Sequence, residues 1–482
     1  MEKSLKKPLY IQLYEAVKEA VLSGMLKPGD RMPASRNLSK DFGIARNAVV
    51  KAYEQLMLEG YLGGKTGAGT FVSVLMDQPE FLPQRNKITR NDVTPNAGLF
   101  SPLSSNRFQS PYMGHDSSCE QRIPFQNSFP AIHEFPFKTW ARIAAELYRN
   151  IHTLHLGYDH GQGYLPLREA IASQLRISRS INCEAGQIVI VNGSRQGIHL
   201  ISEMFVRAND QCWIEDPGYT GAYAAFSRAG AEICPVPVTA QGIDLDYAVA
   251  NYPHAKLVYV TPSHQFPLGI TMPLQERLRL LKYAEEHQMV IIEDDYDSDF
   301  RYNGRPIPAL KGLDTKGHVY YVGTFSKSLF PALRIGYIVL PSPEIAGRFA
   351  LAKAITDRQS PVIDQAILTE FIRSGHFQRH LRKMSTLYKK AQDELCELLR
   401  LHLQDQVEVY PADAGMHFVI MLKDVSKTDF LLQKRASAGL VLMPIDNLSL
   451  KFKMPGYFLI GFTGFTIEEL KSGVMILKRL LG

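Results

Sequence analysis

The chain has 482 residues, 45% of them apolar and 21% charged, and carries a net charge of +6. This length predicts two to four domains at roughly 100–200 residues each, and the composition fits an ordinary soluble globular protein. The opening MEKSLKKPLYIQ has no apolar h-region, so a signal peptide is not expected, and no run approaches the roughly 20 apolar residues of a membrane span. Five scattered cysteines (Cys119, Cys183, Cys212, Cys234 and Cys396) form no CxxC pair or metal spacing and fit a reducing cytoplasm. Charge is uneven: residues 1–75 hold 11 Lys/Arg against 7 Asp/Glu, so most of the excess sits in the first sixth of the chain. A polyanion partner or a plain solvated basic face accounts for that.

Leu9, Leu13, Val17, Ala20 and Val21 recur at helical spacing over residues 8–24, and Pro28-Gly29-Asp30 breaks the pattern. Ser35 reads as the N-cap of a short helix through Phe42, with Gly43 in the turn. A third helix over about 45–59 puts Val49, Tyr53 and Leu56 on one face. Two helices joined by a tight glycine turn match a helix-turn-helix. After Gly60, YLGGKTGAGTFV reads as a β-hairpin, a wing with Lys65 and Thr66 at its tip. The run GDRMPASRNLSKDFGIARNAVVKAYEQLMLEGYLGGKTGAGTFV resembles the GntR winged helix-turn-helix, over nearly all of residues 8–74. The resemblance implies double-stranded promoter DNA as partner, with the start of the third helix in the major groove. It points to Arg36 and Arg46 foremost, then Ser35, Asn47, Lys51, Lys65 and Thr66; an arginine fork pairs bidentately with guanine or phosphate. A helical protein-interaction module with surface arginines is the alternative. Ala45 and Ala48 stand where the family often has Ser and Thr, which removes cap or phosphate hydrogen bonds.

Residues 75–122 carry Pro79, Pro83, Pro95, Pro102 and Pro111 in a Ser/Asn/Gln-rich stretch and read as a linker. From 123 to 482, helical patterns alternate with apolar runs: QIVIVNG (187–193), LVYVTPS (257–263), MVIIEDD (289–295), VYYVGTFS (319–326) and YIVLP (337–341). That alternation predicts βαβ units, hence an α/β domain with a mostly parallel sheet.

Several motifs in this region supply what pyridoxal 5′-phosphate (PLP) requires: an amine for its aldehyde, a carboxylate for its pyridine nitrogen, a donor to its ring oxygen, and a phosphate cradle. GTFSKSLFPALRIGY (323–337) offers Lys327, with Thr324 three residues before and Arg334 seven after. IIEDDYDSDF (291–300) offers Asp294, 33 residues upstream of Lys327, and Tyr296. Read alone, that cluster also fits an acidic loop or a metal site, although no histidine accompanies it in sequence and a hard metal leaves Lys327 unexplained. VNGSRQGIHLI (191–201) offers the amides of Gly193, Ser194 and Arg195 for phosphate. EDPGY (215–219) offers Tyr219 to stack on the ring, and HQFPLG (264–269) offers Gln265 for the ring oxygen. Singly, each reads better as a loop or core residue.

Together these motifs resemble the fold-type I aminotransferases over roughly 123–482, and with AGMH the whole chain resembles the MocR/GabR family of regulators. The resemblance implies a Schiff base on Lys327, Asp294 at the pyridine nitrogen, Tyr296 at the ring oxygen, and Thr324 and Arg334 at the phosphate. LGYDHGQGYLPLREA (156–170) matches the segment whose tyrosine, here Tyr158, reaches the partner subunit's phosphate, which implies a homodimer, in this family typically domain-swapped. One departure is evident. The strand that carries a carboxylate-binding arginine in aminotransferases reads FLIGF (458–462) here, with Leu459 at the arginine position; the missing clamp is worth about 1.5–3 kcal/mol. The expected function is a transcription regulator that senses PLP itself, as in control of vitamin B6 synthesis. Two alternatives are a regulator sensing a small amino compound such as GABA, taurine or a D-alanine peptide, and a true aminotransferase with an appended domain.

Overall fold

The computed structural model describes residues 7–65, 69–73, 122–127, 129–159, 161–302 and 308–482. The chain divides into two compact units, Met1–Ser104 and Ser105–Gly482. The expected linker falls almost wholly outside the described residues.

The first unit holds helices α1 (Leu9–Leu22), α2 (Ser35–Phe42) and α3 (Arg46–Leu58), then strands β1 (Leu62–Lys65) and β2 (Gly69–Val72), which pair antiparallel as a hairpin. The apolar stripes read from the sequence meet in one core: Leu13, Val17 and Val21 of α1 pack with Leu38 of α2 and Val49, Tyr53 and Leu56 of α3. Gly43 closes α2 at φ 61, a left-handed position that suits glycine. The N-cap expectation for Ser35 needs correction. Ala34 occupies the cap, Ser35 is already helical, and no side chain caps the helix. Ala45 caps α3, also without a side-chain bond.

The second unit is built on an eight-stranded sheet. Its strands are β3 (Ile188–Val191), β4 (Gln211–Asp216), β5 (Glu232–Thr239), β6 (Gly242–Ile243), β7 (Leu257–Val260), β8 (Val290–Asp295), β9 (Val319–Thr324) and β10 (Gly336–Val339), in the order β3-β10-β9-β8-β7-β4-β5-β6. The stretch β9-β8-β7-β4-β5 is parallel throughout. Both faces are covered: Ile188 and Ile190 face one apolar cluster, Val189 and Val191 the other. This is why these strands read as unbroken apolar runs. YIVLP departs from the parallel expectation, because β10 runs antiparallel to both β3 and β9. Only the short segment carrying Lys327 joins β9 to β10, and a parallel return needs a crossover of a dozen residues or more.

A second sheet, β11 (Val407–Tyr410), β12 (His417–Leu422), β13 (Met443–Pro444) and β14 (Tyr457–Gly461), is antiparallel in the order β11-β12-β14-β13. No helix among the described residues is long and apolar enough to cross a membrane.

Candidate cofactor and DNA sites

The carboxyl ends of the parallel strands β4, β7, β8 and β9 open on one edge of the sheet, where ligands of α/β folds gather. A cavity of about 280 Å³ lies there, and Lys327, Asp294, Tyr296, Tyr219, Ser194, Arg195, Thr324 and Arg334 all line it. A second cavity of about 320 Å³, among Arg179, Ser263, Arg277 and Asp299, contains none of these groups.

Asp294 is the penultimate residue of β8 and is buried. The Tyr259 hydroxyl donates to its Oδ2 at 2.7 Å, while Oδ1 is buried with no hydrogen-bond partner. Burial pushes the Asp294 carboxyl up to about 7, against the pull of the Tyr259 bond. A cationic ring nitrogen at Oδ1 would offset that desolvation. Burial likewise pushes the Lys327 ammonium down to about 8; Asp297 and Asp294 oppose this, and Arg195 and Arg334 reinforce it.

The helix Ser194–Phe205 begins at this edge with Gly193 at its cap, φ 86, and no side chain caps its first N–H groups. A Cβ on Gly193 would lie 2.9 Å from Arg334 Nη2, so the glycine lets the guanidinium close on the turn. Arg334 Nη2 donates to Asn192 O at 2.8 Å. A helix start without a side-chain cap, beside a flanking arginine, suits an anion. Arg195 donates from Nε to the Tyr219 hydroxyl at 2.9 Å, and Tyr219 stacks on Tyr259 with ring centroids 6.3 Å apart.

Gln265 is not brought to the cavity. Its Nε2 is taken by Pro217 O, Phe266 O and Glu215 Oε2, and its Oε1 accepts from Leu268 N. Phe266 lines the cavity instead, with Tyr259, Ser326 and Pro331, none of which was singled out from sequence. Ser326 Oγ is buried without a partner. Tyr158 is 79% exposed, lies under the Arg358 guanidinium at 4.5 Å, and does not line this chain's cavity. Leu459 is fully buried and pairs across to Val419 and Met443. With Phe266, Ile445 and Leu448 it forms an apolar cluster, against which Tyr219 and Tyr296 pack.

In the first unit, Arg36, Arg46 and Asn47 are exposed around the start of α3, and Arg46 Nε lies 3.5 Å from Ser35 Oγ. Lys51 sits over the Tyr10 ring at 4.3 Å. Only the backbone of Lys65 is described, and Thr66 lies outside the described residues. Arg31, missed from sequence, bridges to Phe71 and reaches Gly69 on the hairpin.

Comparison with known proteins fits both units. The family of bacterial regulatory proteins, gntR family, matches residues 9–72, and aminotransferase class I and II matches 126–476. The chain is 37% identical over 471 residues to the probable rhizopine catabolism regulatory protein MocR of Rhizobium meliloti, covering 98% of this chain and 93% of that one. It is 29% identical over 444 residues to the pyridoxine biosynthesis transcriptional regulator PdxR of Corynebacterium glutamicum, covering 90% and 88%. Among solved structures, the α-aminoadipate aminotransferase LysN of Thermus thermophilus, bound to N-(5′-phosphopyridoxyl)-L-leucine, matches with a TM-score of 0.68 and 26% identity over 74% of this chain and 92% of that one.

Fold and site thus define a transcription regulator built from a GntR winged helix and a fold-type I aminotransferase domain, with PLP as its cofactor. The chain belongs to the MocR/GabR family.

The residues present fit that cofactor: an orphaned Asp294 oxygen, an uncapped helix start that a Cβ on Gly193 would fill, and an amine close to neutrality. A neutral amine is the nucleophile toward an aldehyde, so with Lys327 as the attachment point its lowered pKa would set the pH of reaction. Cofactor uptake by the apo-protein is expected to accelerate with pH through about 8 and then level off. An exposed lysine would still be gaining at about 10. Stopped-flow absorbance across pH 6–10 checks this.

Proposed function

We propose that this regulator reports its own occupancy by PLP, as a sensor in the control of vitamin B6 synthesis, and binds promoter DNA through α2, α3 and the hairpin. Leu459 carries this reading. The wall where an aminotransferase grips a substrate carboxylate is here an apolar cluster of Leu459, Phe266, Val419, Ile445 and Leu448. An amino acid placed there leaves its carboxylate desolvated and unpaired, which is costly, whereas the groups suited to the cofactor all line the cavity.

In this reading Lys327 holds the aldehyde carbon and Asp294 faces the pyridine nitrogen. Tyr219 stacks on the ring, and Gly193, Ser194, Arg195, Thr324 and Arg334 receive the phosphate. The exposure of Tyr158 supports a homodimer in which it serves the partner's cavity. PdxR, named for pyridoxine biosynthesis, supports PLP as the signal. MocR, named for rhizopine catabolism, favours a second reading, in which the loaded site meets a small amino compound.

Mobility-shift titration of promoter DNA with apo-protein, with PLP-loaded protein, and with loaded protein plus GABA or taurine separates the two. PLP alone is expected to change DNA affinity; a change that appears only with the amine refutes PLP as the signal. In the same assay Arg46→Ala is expected to weaken binding by about 1–3 kcal/mol and to relax sequence preference, with a smaller, sequence-independent loss for Lys51→Ala.

A further inference from the structure

Three motifs converge on one hydroxyl. His264 comes from HQFPLG, Asp297 from EDDYDSDF, and Gly415 and His417 from AGMH. The Tyr296 hydroxyl lies 3.0 Å from His264 Nδ1, and that nitrogen lies 3.0 and 3.1 Å from the two Asp297 oxygens. His264 is 2% and Asp297 3% exposed. The His417 ring stacks parallel to Tyr296 at 6.4 Å. Gly415 closes the group from behind, at φ +85, where a Cβ would come within 2.1 Å of the His264 ring and 2.5 Å of Asp297. The glycine of AGMH is therefore required by the imidazole–carboxylate pair it packs on.

One ring nitrogen faces three oxygens, and the chemistry of those oxygens decides which nitrogen carries the hydrogen. A carboxylate only accepts, so Nδ1 bears hydrogen toward Asp297. The other tautomer sets the Nδ1 lone pair against a carboxylate. It also strands a hydrogen on His264 Nε2, which is buried with no hydrogen-bond partner. With hydrogen on Nδ1, shared between Asp297 and the Tyr296 oxygen, that nitrogen has no lone pair to accept from Tyr296, whose own O–H is left to donate elsewhere. Tyr296 lines the Lys327 cavity.

We infer that Asp297 and His264 are positioning residues that fix Tyr296 as a hydrogen-bond donor into the cofactor cavity, aimed at the ring oxygen. This rests on the proposed placement of that oxygen against Tyr296. The charged and titratable groups around Tyr296 are Asp297, Asp294, Glu215, Asp295, His264 and His417, and Lys327 lines the same cavity. Burial, with Asp297 and Asp294, raises the phenol well above its ordinary range, so it keeps the proton it donates. His264, Asp297 and His417 also form a group of metal-ligand type, within 4.8 Å of one another. Direct contact of Nδ1 with both carboxylate oxygens, under a closely packed glycine, accounts for the group without an ion.

The test is the pH midpoint of the visible band in full-length, PLP-loaded protein. A donor from Tyr296 draws charge from the ring oxygen. Without it that oxygen holds the proton at the Lys327 nitrogen more tightly, and the midpoint rises. Tyr296→Phe is expected to raise it on the order of one unit. His264→Leu should raise it similarly, and the double variant should match Tyr296→Phe alone, since both act through one group. His264→Asn, whose side-chain amide replaces the Nδ1–H, should restore the wild-type midpoint. Additive shifts, or no shift in His264→Leu while Tyr296→Phe moves, overturn the positioning role. No shift in Tyr296→Phe shows instead that Tyr296 does not face the ring oxygen, and removes the premise as well. Nitrogen-15 NMR of the apo-protein, with the His264 signal assigned by its loss in His264→Asn, reads the tautomer independently of cofactor and of variant folding. Hydrogen on Nδ1 is expected; hydrogen on Nε2 overturns the inference.

Discussion

Replacing Lys327 with alanine is expected to abolish the visible absorbance of the PLP-loaded protein and to uncouple DNA binding from the cofactor, while the fold survives. Lys327 supplies the only lysine amine among the residues that line the cavity. Its surroundings on balance disfavour the charged form, since burial lowers its pKa to about 8 against the pull of Asp297 and Asp294, so its removal also relieves desolvation. The proposed phosphate cradle at Gly193 and Arg334 and the proposed stacking face of Tyr219 stay in place. Binding therefore weakens to a reversible, non-covalent level that gel filtration strips away. The spectrum after gel filtration, with circular dichroism as the control for folding, checks this. A band that persists would place the covalent bond on another lysine. Lys353 is a poor candidate, because its amine is fully buried and bonded to Asp357 at 2.8 Å.

Restoring the missing arginine by Leu459→Arg should damage the second unit rather than convert it into an aminotransferase. Leu459 is fully buried among Phe266, Val419, Ile445 and Leu448. Asp446, between Ile445 and Leu448 in sequence, accepts from Met454 N, and Asp216 accepts from Leu450 N, Lys451 N and Phe452 N, so both are committed. A guanidinium at this point is an uncompensated buried charge, costing about 3–5 kcal/mol. Thermal unfolding should drop by several degrees at least, with no amino-acid turnover gained. Full stability together with ordinary transaminase rates would show that the cluster is a vacated clamp ready for use, and would count against PLP as the signal.

Much of the site was legible because PLP chemistry demands particular groups at strand ends, and motifs name them. Lys327, Asp294, Tyr219, Tyr296, Ser194, Arg195, Thr324 and Arg334 meet around one cavity although they come from well-separated segments. What escaped was direction and distance. HQFPLG offers three side chains in succession, and nothing local says that Gln265 turns inward to Glu215 while Phe266 faces the cavity. Tyr259 hid inside the apolar run LVYV. A buried tyrosine hydroxyl needs a partner, and asking for that partner leads to Asp294. The acidic segment at 293–299 lacked a histidine in sequence, yet chain crossovers carry His264 and His417 to Asp297. Ser35 missed its cap by one residue, the usual uncertainty at a helix end.

The central claim, that cofactor occupancy and DNA binding are one coupled equilibrium, is tested most directly by reciprocity. PLP affinity is measured with and without a saturating operator fragment, and DNA affinity with and without PLP. Coupling of about 1–3 kcal/mol, roughly 5- to 150-fold, is the ordinary range, and linkage requires the same factor in both directions. The account predicts equal fold-changes. A PLP affinity that operator DNA leaves untouched, under conditions where that DNA is bound, would contradict it.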